Sequence, residues 1–440
     1  MRASGGIRPR SRGTLPPVSE YGWKYLSRAD KEAILRGIED GVAYGGPYHV
    51  EIHPADRCNI DCFFCSTASL RGTDEIPMPR FAELLGELGE AGTRSLRLSG
   101  GGEPLFHRRI REFLQSIRAS GLPIENLTTN AVLLRSEIAE LLAATCDHVT
   151  VSLNTADEAS YAAMMQTSPR NFQRVVENTR ELIALRRRRG ARRPAVTLQF
   201  LVWKENFRTI PAMYRLAEEI GADKILFNGL SFLTPEQKMT AAETDEMMEL
   251  YEDVVKLDGY RTIGAINSFE QDLSGRVAAM NERVRAERSL VDVARSLRRG
   301  GWREQTDFLR DKLRQRRTRA AGRSLESYCL IGWHSMLVRV TGEVAPCCIL
   351  QGKVLGNVYR QPLREVWQGE AYNRFRAEIS RLLREGPAWR HDPETDQTLD
   401  ALCGAKDACP IATFYYQPDV PFLRAFNGGL RRLRPTSPQG

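Results

Sequence analysis

The strongest constraint on the fold is an alternation of short apolar runs and helical patterns between residues 48 and 257. Strand-like segments at 48–53, 95–99, 125–129, 148–153, 195–203 and 223–229 recur every roughly 25–45 residues. Each is followed by a segment of helical period: 80–91, 107–120, 135–144, 157–165 with 171–188, 207–220 and 241–257. Phe81, Leu84, Leu85 and Leu88 stand at i, i+3, i+4, i+7, and the same spacing recurs at Ile110, Phe113, Leu114 and Ile117. Six alternating units joined by right-handed crossovers build a parallel sheet. Eight would close a full barrel, which is the obvious rival. In such folds ligands collect at the carboxyl ends of the strands.

The first strand delivers the chain into CNIDCFFC, 58–65, where Cys58, Cys62 and Cys65 have C-x3-C-x2-C spacing. Three local thiolates can hold three irons of a 4Fe–4S cube and leave the fourth iron open. A zinc knuckle is the rival, but its cysteines come in pairs or with histidines. No cysteine or histidine follows Cys65 until His107. The iron–sulfur reading is therefore preferred.

Nine cysteines cluster at 58–65, 329–348 and 403–409, with Cys146 alone just before the fourth strand. This suits metal ligation in a reducing cytoplasm better than a secreted disulfide framework. Hydrophobic content of 42% and charged content of 27% are those of a globular protein. No apolar run reaches the ~20 residues of a membrane span, and the basic N-terminus lacks the apolar core of a secretory signal. The net charge of +8 permits an anionic partner without requiring one. Between Arg295 and Arg323 there are eleven Lys or Arg against three acidic residues. That segment reads as a solvated helical insertion, and its sparse aromatics disfavour single-stranded nucleic acid.

The second strand runs into Gly100-Gly101-Gly102-Glu103-Pro104. Glycines let the backbone approach a ligand closely, and the carboxylate can accept from an ammonium group. Thr129 and Asn130 end the third strand, and Ser152 and Asn154 end the fourth; their side chains can bond ribose hydroxyls. His49 and His53 share one side of the first strand and read as core histidines, while Gln199, Trp203 and Asn228 are candidates for a substrate cavity.

Near the C-terminus, Cys329 and Cys347 flank LIGWHSMLVRVTGEVAP, which reads as strand, turn at Thr341-Gly342, and strand. Cys403 and Cys409 follow in CGAKDAC. Four thiols from two separated pairs suit zinc or a complete iron–sulfur cluster, and the spacing does not choose.

The cysteine loop, with Phe64 before its third cysteine, and the GGEP of Gly101, Gly102, Glu103 and Pro104 together resemble the radical SAM superfamily. The resemblance implies a partial (β/α)6 barrel and an S-adenosylmethionine bound to the open iron, with the GGEP segment meeting the cofactor's amino group. It also implies reductive cleavage to a 5′-deoxyadenosyl radical and a reductant such as flavodoxin or ferredoxin. The pattern C-x12-G-x4-C, LGNVY at 355–359, PLREVWQGEAYNRF at 362–375 and a later cysteine pair resembles the SPASM/twitch extension. Cys329, Cys347, Cys403 and Cys409 would then hold one auxiliary 4Fe–4S cluster, although the last pair is C-x5-C where the twitch form has C-x2-C. Cys348 reads as a spare thiol.

The expected organisation is a tail and lead-in helix over 1–47, a partial barrel over 48–257, a basic helical insertion over 258–327, an auxiliary-cluster domain over 328–412 and a tail over 413–440. About 47 residues precede the first strand, fewer than the about 80 of a winged-helix leader-binding domain. The resemblance thus favours hydrogen abstraction from a small polar metabolite, a sugar or aminocyclitol, giving dehydrogenation or diol dehydration. A peptide-modifying enzyme is the runner-up. An RNA-modifying enzyme and an iron–sulfur electron carrier are the rivals from other classes, and GGEP argues against the carrier.

Overall fold

The computed structural model describes residues 23–258 and 331–385, except 66, 231–234, 349 and 351, and also describes Met280. The basic segment 295–323 and Cys329, Cys403 and Cys409 lie outside the described residues.

Six parallel strands alternate with helices as the sequence predicts. They are β1 (His49–Ile52), β2 (Ser95–Leu98), β3 (Ile124–Thr129), β4 (Cys146–Ser152), β5 (Ala195–Val202) and β6 (Lys224–Gly229). The helices are α1 (Arg28–Asp40), α2 (Met78–Glu90), α3 (Ile110–Ser120), α4 (Ser136–Thr145), α5 (Glu158–Met165), α6 (Arg170–Arg188), α7 (Ile210–Ile220) and α8 (Ala241–Asp258). This is a partial (β/α)6 barrel. The strands are buried along most of their length, as a parallel sheet covered by helices requires.

Local chemistry sets the element ends. Ser27 caps α1 in a reciprocal box with Asp30. Gly121 and Gly221 end α3 and α7 in left-handed conformations. The apolar stripe of α2 is buried as its spacing predicts, and Phe81 stacks on Phe113 of α3 with ring centroids 3.6 Å apart. The third and seventh helices begin three residues later than expected: Phe207–Thr209 is a single 3-10 turn, and at 107–109 the Arg109 N–H is turned to the His107 ring at 3.0 Å. Cys146 opens β4 and is buried, as a core thiol.

The C-terminal unit shares the barrel's sheet. Strand β7 (Ser335–Val338) pairs in parallel with β1, so His49 faces Ser95 on one side and Ser335 on the other. Strands β8 (Glu343–Ala345) and β9 (Gly356–Asn357) follow in antiparallel, giving the order β6-β5-β4-β3-β2-β1-β7-β8-β9. The expected hairpin turn is present at Gly342, whose φ of 76° a side chain would resist. The expected first strand of that hairpin is corrected at its start: Ile331–His334 is a short helix. Arg376 Nε donates to the Gly332 carbonyl at 2.6 Å, taking a group that a strand would pair. Trp333 is buried against α1, and its Nε1 donates to the Val42 carbonyl at 3.0 Å. Among the described residues, no helix is long and apolar enough to cross a membrane.

Docking of the C-terminal unit on α1 depends on this indole. Trp333→Ala should lower unfolding stability by about 3–5 kcal/mol, read from the denaturant midpoint. A loss below about 1 kcal/mol would show that the unit is held elsewhere.

Candidate active site

The cysteine loop leaves the carboxyl end of β1 and is closed at its base. Asp56 N donates to the Asp74 carbonyl and Ile76 N to the Pro54 carbonyl, both at 3.0 Å. Its outer edge is tied to the end of α5, through Asp61 N to the Met165 carbonyl (3.2 Å) and Phe63 N to the Met164 carbonyl (3.3 Å). The glycine segment after β2 lies directly against the loop's root. Gly102 N donates to the Ala55 carbonyl at 3.0 Å and Glu103 N to the Arg57 carbonyl at 2.9 Å. A methyl group on Gly102 would collide with the Arg57 carbonyl, so close approach is what requires glycine here. Thr67 completes the join: its hydroxyl lies 3.3 Å from Cys65 Sγ and donates to the Gly101 carbonyl at 3.0 Å.

One cavity of about 470 Å³ gathers Cys58, Cys62, Cys65, Phe64, Gly101, Gly102, Glu103, Pro104, Thr129, Asn130, Ser152 and Asn154. These include every cluster- and cofactor-binding residue the sequence nominates within the barrel. Cys347 is buried in the C-terminal unit, where its sulfur accepts from Leu350 N at 3.4 Å. Gln199 and Asn228 line the cavity, whereas Trp203 meets Phe63 in a tilted ring contact with centroids 5.1 Å apart. His49 and His53 are buried in the core.

The polar groups divide by their partners. Glu103 is buried, and its carboxylate accepts from Thr129 Oγ1 (2.6 Å), Leu105 N (3.0 Å) and Asn130 N (2.7 Å). A carboxylate has about four lone-pair positions, so room for one more donor remains. Burial raises its pKa, against these bonds. Thr129 and Asn130, the expected ribose contacts, line the cavity and also bond within the protein. Thr129 Oγ1 also accepts from Ala131 N, and the Asn130 amide bonds Asn59 and Val132 N. The cavity-lining Thr128 Oγ1, Asn154 Oδ1 and Asn228 Oδ1 are buried atoms without a hydrogen-bond partner among the described residues. Such atoms are costly unless a ligand or water meets them. Thr128 was not singled out from the sequence. The two-residue strand period was the available signal, since it separates Thr128 from Thr129 by face.

The donor set fits an iron–sulfur cube. Among the described residues, no three His, Cys, Asp or Glu side chains converge on a single-ion site. A cube takes one thiolate at each of three corners and needs no such convergence. Burial pushes the Cys62 thiol up to about 12, with the charges of Cys58 and Cys65 adding to it, and burial also raises Cys58. Thiolates are thus unfavourable here without a compensating cation. Metal capture must release protons and is favoured by rising pH.

Two family models match the chain: the radical SAM superfamily over residues 52–217 and SPASM, an iron–sulfur cluster-binding domain, over 329–394. A curated "Probable GTP 3′,8-cyclase" of Sulfurisphaera tokodaii is 28% identical over 169 residues, 38% of this chain and 51% of its own length. The chain thus spans about half the length of such relatives. The PqqA peptide cyclase of Xanthomonas campestris is 24% identical over 340 residues, 75% of this chain and 76% of its own. Among solved structures, Streptococcus suis SuiB bound to S-adenosylmethionine superposes with a TM-score of 0.52 at 16% identity, covering 79% of this chain and 69% of that one. That likeness concerns the fold.

The close join between loop and glycine segment has a paired test. Gly102→Ala should cut the iron held after anaerobic reconstitution by more than half. Gly86→Ala, in α2 with open space around it, should leave iron unchanged and gain up to about 1 kcal/mol of stability. Equal iron in both variants would contradict the join.

Proposed function

The chain belongs to the radical SAM superfamily and carries a SPASM domain, and from that premise we propose that it modifies a peptide. It is a radical SAM enzyme, with S-adenosylmethionine and 4Fe–4S clusters as cofactors. When bound, the cofactor would supply hydrogen-abstracting radical chemistry.

The chain's own residues bind and orient. Cys58, Cys62 and Cys65 would hold three irons, and Glu103, beside the glycine segment, would accept from the cofactor's ammonium group, while Thr129 and the Asn130 backbone hold the Glu103 carboxylate still. Asn154 and Ser152 face the ribose from the end of β4. Arg97, Ser99, Gln199 and Asn228 line the part of the cavity left for substrate. Cys347 with Cys329, Cys403 and Cys409 would hold the auxiliary cluster. A one-electron carrier such as flavodoxin or ferredoxin is the reductant.

The observation that carries the peptide reading is the length of one match. The PqqA peptide cyclase aligns over 340 residues, about three quarters of both chains, whereas the GTP cyclase relatives align over about half of theirs. The sugar or aminocyclitol expectation rested on the short segment ahead of β1, and relatives favour the peptide over it.

The test is anaerobic reconstitution, reduction with S-adenosylmethionine, and incubation with peptides encoded beside the gene. The enzyme should release 5′-deoxyadenosine and remove hydrogen from a peptide, seen as a mass decrease. It should hold about eight irons, and replacing Cys58, Cys62 and Cys65 by Ala should remove about four. No 5′-deoxyadenosine from fully loaded enzyme would end the radical reading. Turnover of a cyclitol with every peptide unchanged would end the peptide reading.

A further inference from the structure

Six residues beyond Cys65, after the single turn Ala68–Leu70, the chain places Arg71 in the wall of the same cavity as the three cysteines. Its Nη1 is paired with Asp61, inside the cysteine loop. The two partners differ in environment: the Arg71 side chain is 20% exposed and the Asp61 side chain 75%. Water screens the carboxylate far more than the guanidinium, so positive charge is left on the cavity side. The Arg71 Nε–H is buried and finds no acceptor among the described residues. Ala68 N donates to the Cys65 carbonyl and Arg71 N to the Ala68 carbonyl, both at 3.2 Å, so the turn holds Arg71 close to the cysteine loop. Arg97, the other arginine lining the cavity, lies 4.0 Å from Glu51 in the barrel. Burial would raise Glu51, but His53 and Arg97 bring it down to about 2, so it stays ionised beside Arg97.

We infer that Arg71 is a tuning residue that sets the reduction potential of the cluster held by Cys58, Cys62 and Cys65. This rests on the cysteine loop holding that cluster. One electron from an external one-electron donor adds one negative charge to the cluster and no proton. A fixed cation beside the thiolates favours the more negative state and so raises the potential. The exposed Asp61 works in the opposite sense, and it also aims Arg71. A loop staple alone would give a different pattern, because either partner's loss would then act alike.

The experiment is a mediated redox titration of the reconstituted full chain, followed by the EPR signal that changes on adding S-adenosylmethionine. That signal separates this cluster from any auxiliary one. Arg71→Gln should shift the midpoint to lower potential, Arg71→Lys should restore most of it, and Asp61→Asn should move it upward or leave it in place. Asp61 is exposed, so its variant keeps the test open even where Arg71→Gln loads poorly. An unchanged midpoint in a fully loaded Arg71→Gln variant would overturn the inference. So would a fall in Asp61→Asn equal to that in Arg71→Gln. Absence of any signal sensitive to S-adenosylmethionine would instead overturn the radical reading itself.

Discussion

The site depends on one close approach, that of the Gly102 backbone to the root of the cysteine loop. Two hydrogen bonds, Gly102 N to Ala55 and Glu103 N to Arg57, fasten the end of β2 to the segment leaving β1. No side chain fits between them. The root of the cysteine loop and Glu103 are therefore tied to each other through the backbone. A cluster held by the first and a cofactor amino group held by the second would keep a fixed relation, which is what positioning a radical source demands.

Around that join the polar chemistry is arranged in layers. Glu103 is buried and held by three donors, so little of its carboxylate is left to wander. Thr129 and Asn130 act behind it. Thr128, Asn154 and Asn228 face the cavity with atoms that have no partner among the described residues. The inner wall of the barrel is thus made of groups waiting for a ligand, set in a scaffold whose opposite face is close-packed. The C-terminal unit is joined to the same frame, because β7 pairs with β1, the strand that launches the cysteine loop.

Much of this was legible in the chain. Helical spacing identified the buried face of α2, and alternating units identified the sheet, because burial repeats with the geometry of each element. The cysteine spacing and the glycine segment located the site because each needs particular residues in particular order. Three things were not legible. Helical Ile331–His334 depends on Arg376 and Trp333 meeting partners far away in sequence. The support that Thr129 gives Glu103 depends on which face Glu103 approaches. Arg71 becomes part of the site because the loop returns to the cavity after Cys65, and no local pattern announces that return.

A single cofactor site built from the cysteine loop and the glycine segment fixes where iron and S-adenosylmethionine must lie. The most direct measurement is anomalous iron diffraction from crystals of reconstituted protein soaked with S-adenosylmethionine. Iron density is expected beside Cys58, Cys62 and Cys65, with the cofactor's amino group within hydrogen-bond reach of Glu103. Iron absent from that loop in otherwise loaded crystals, or a cofactor bound away from Glu103, would contradict it.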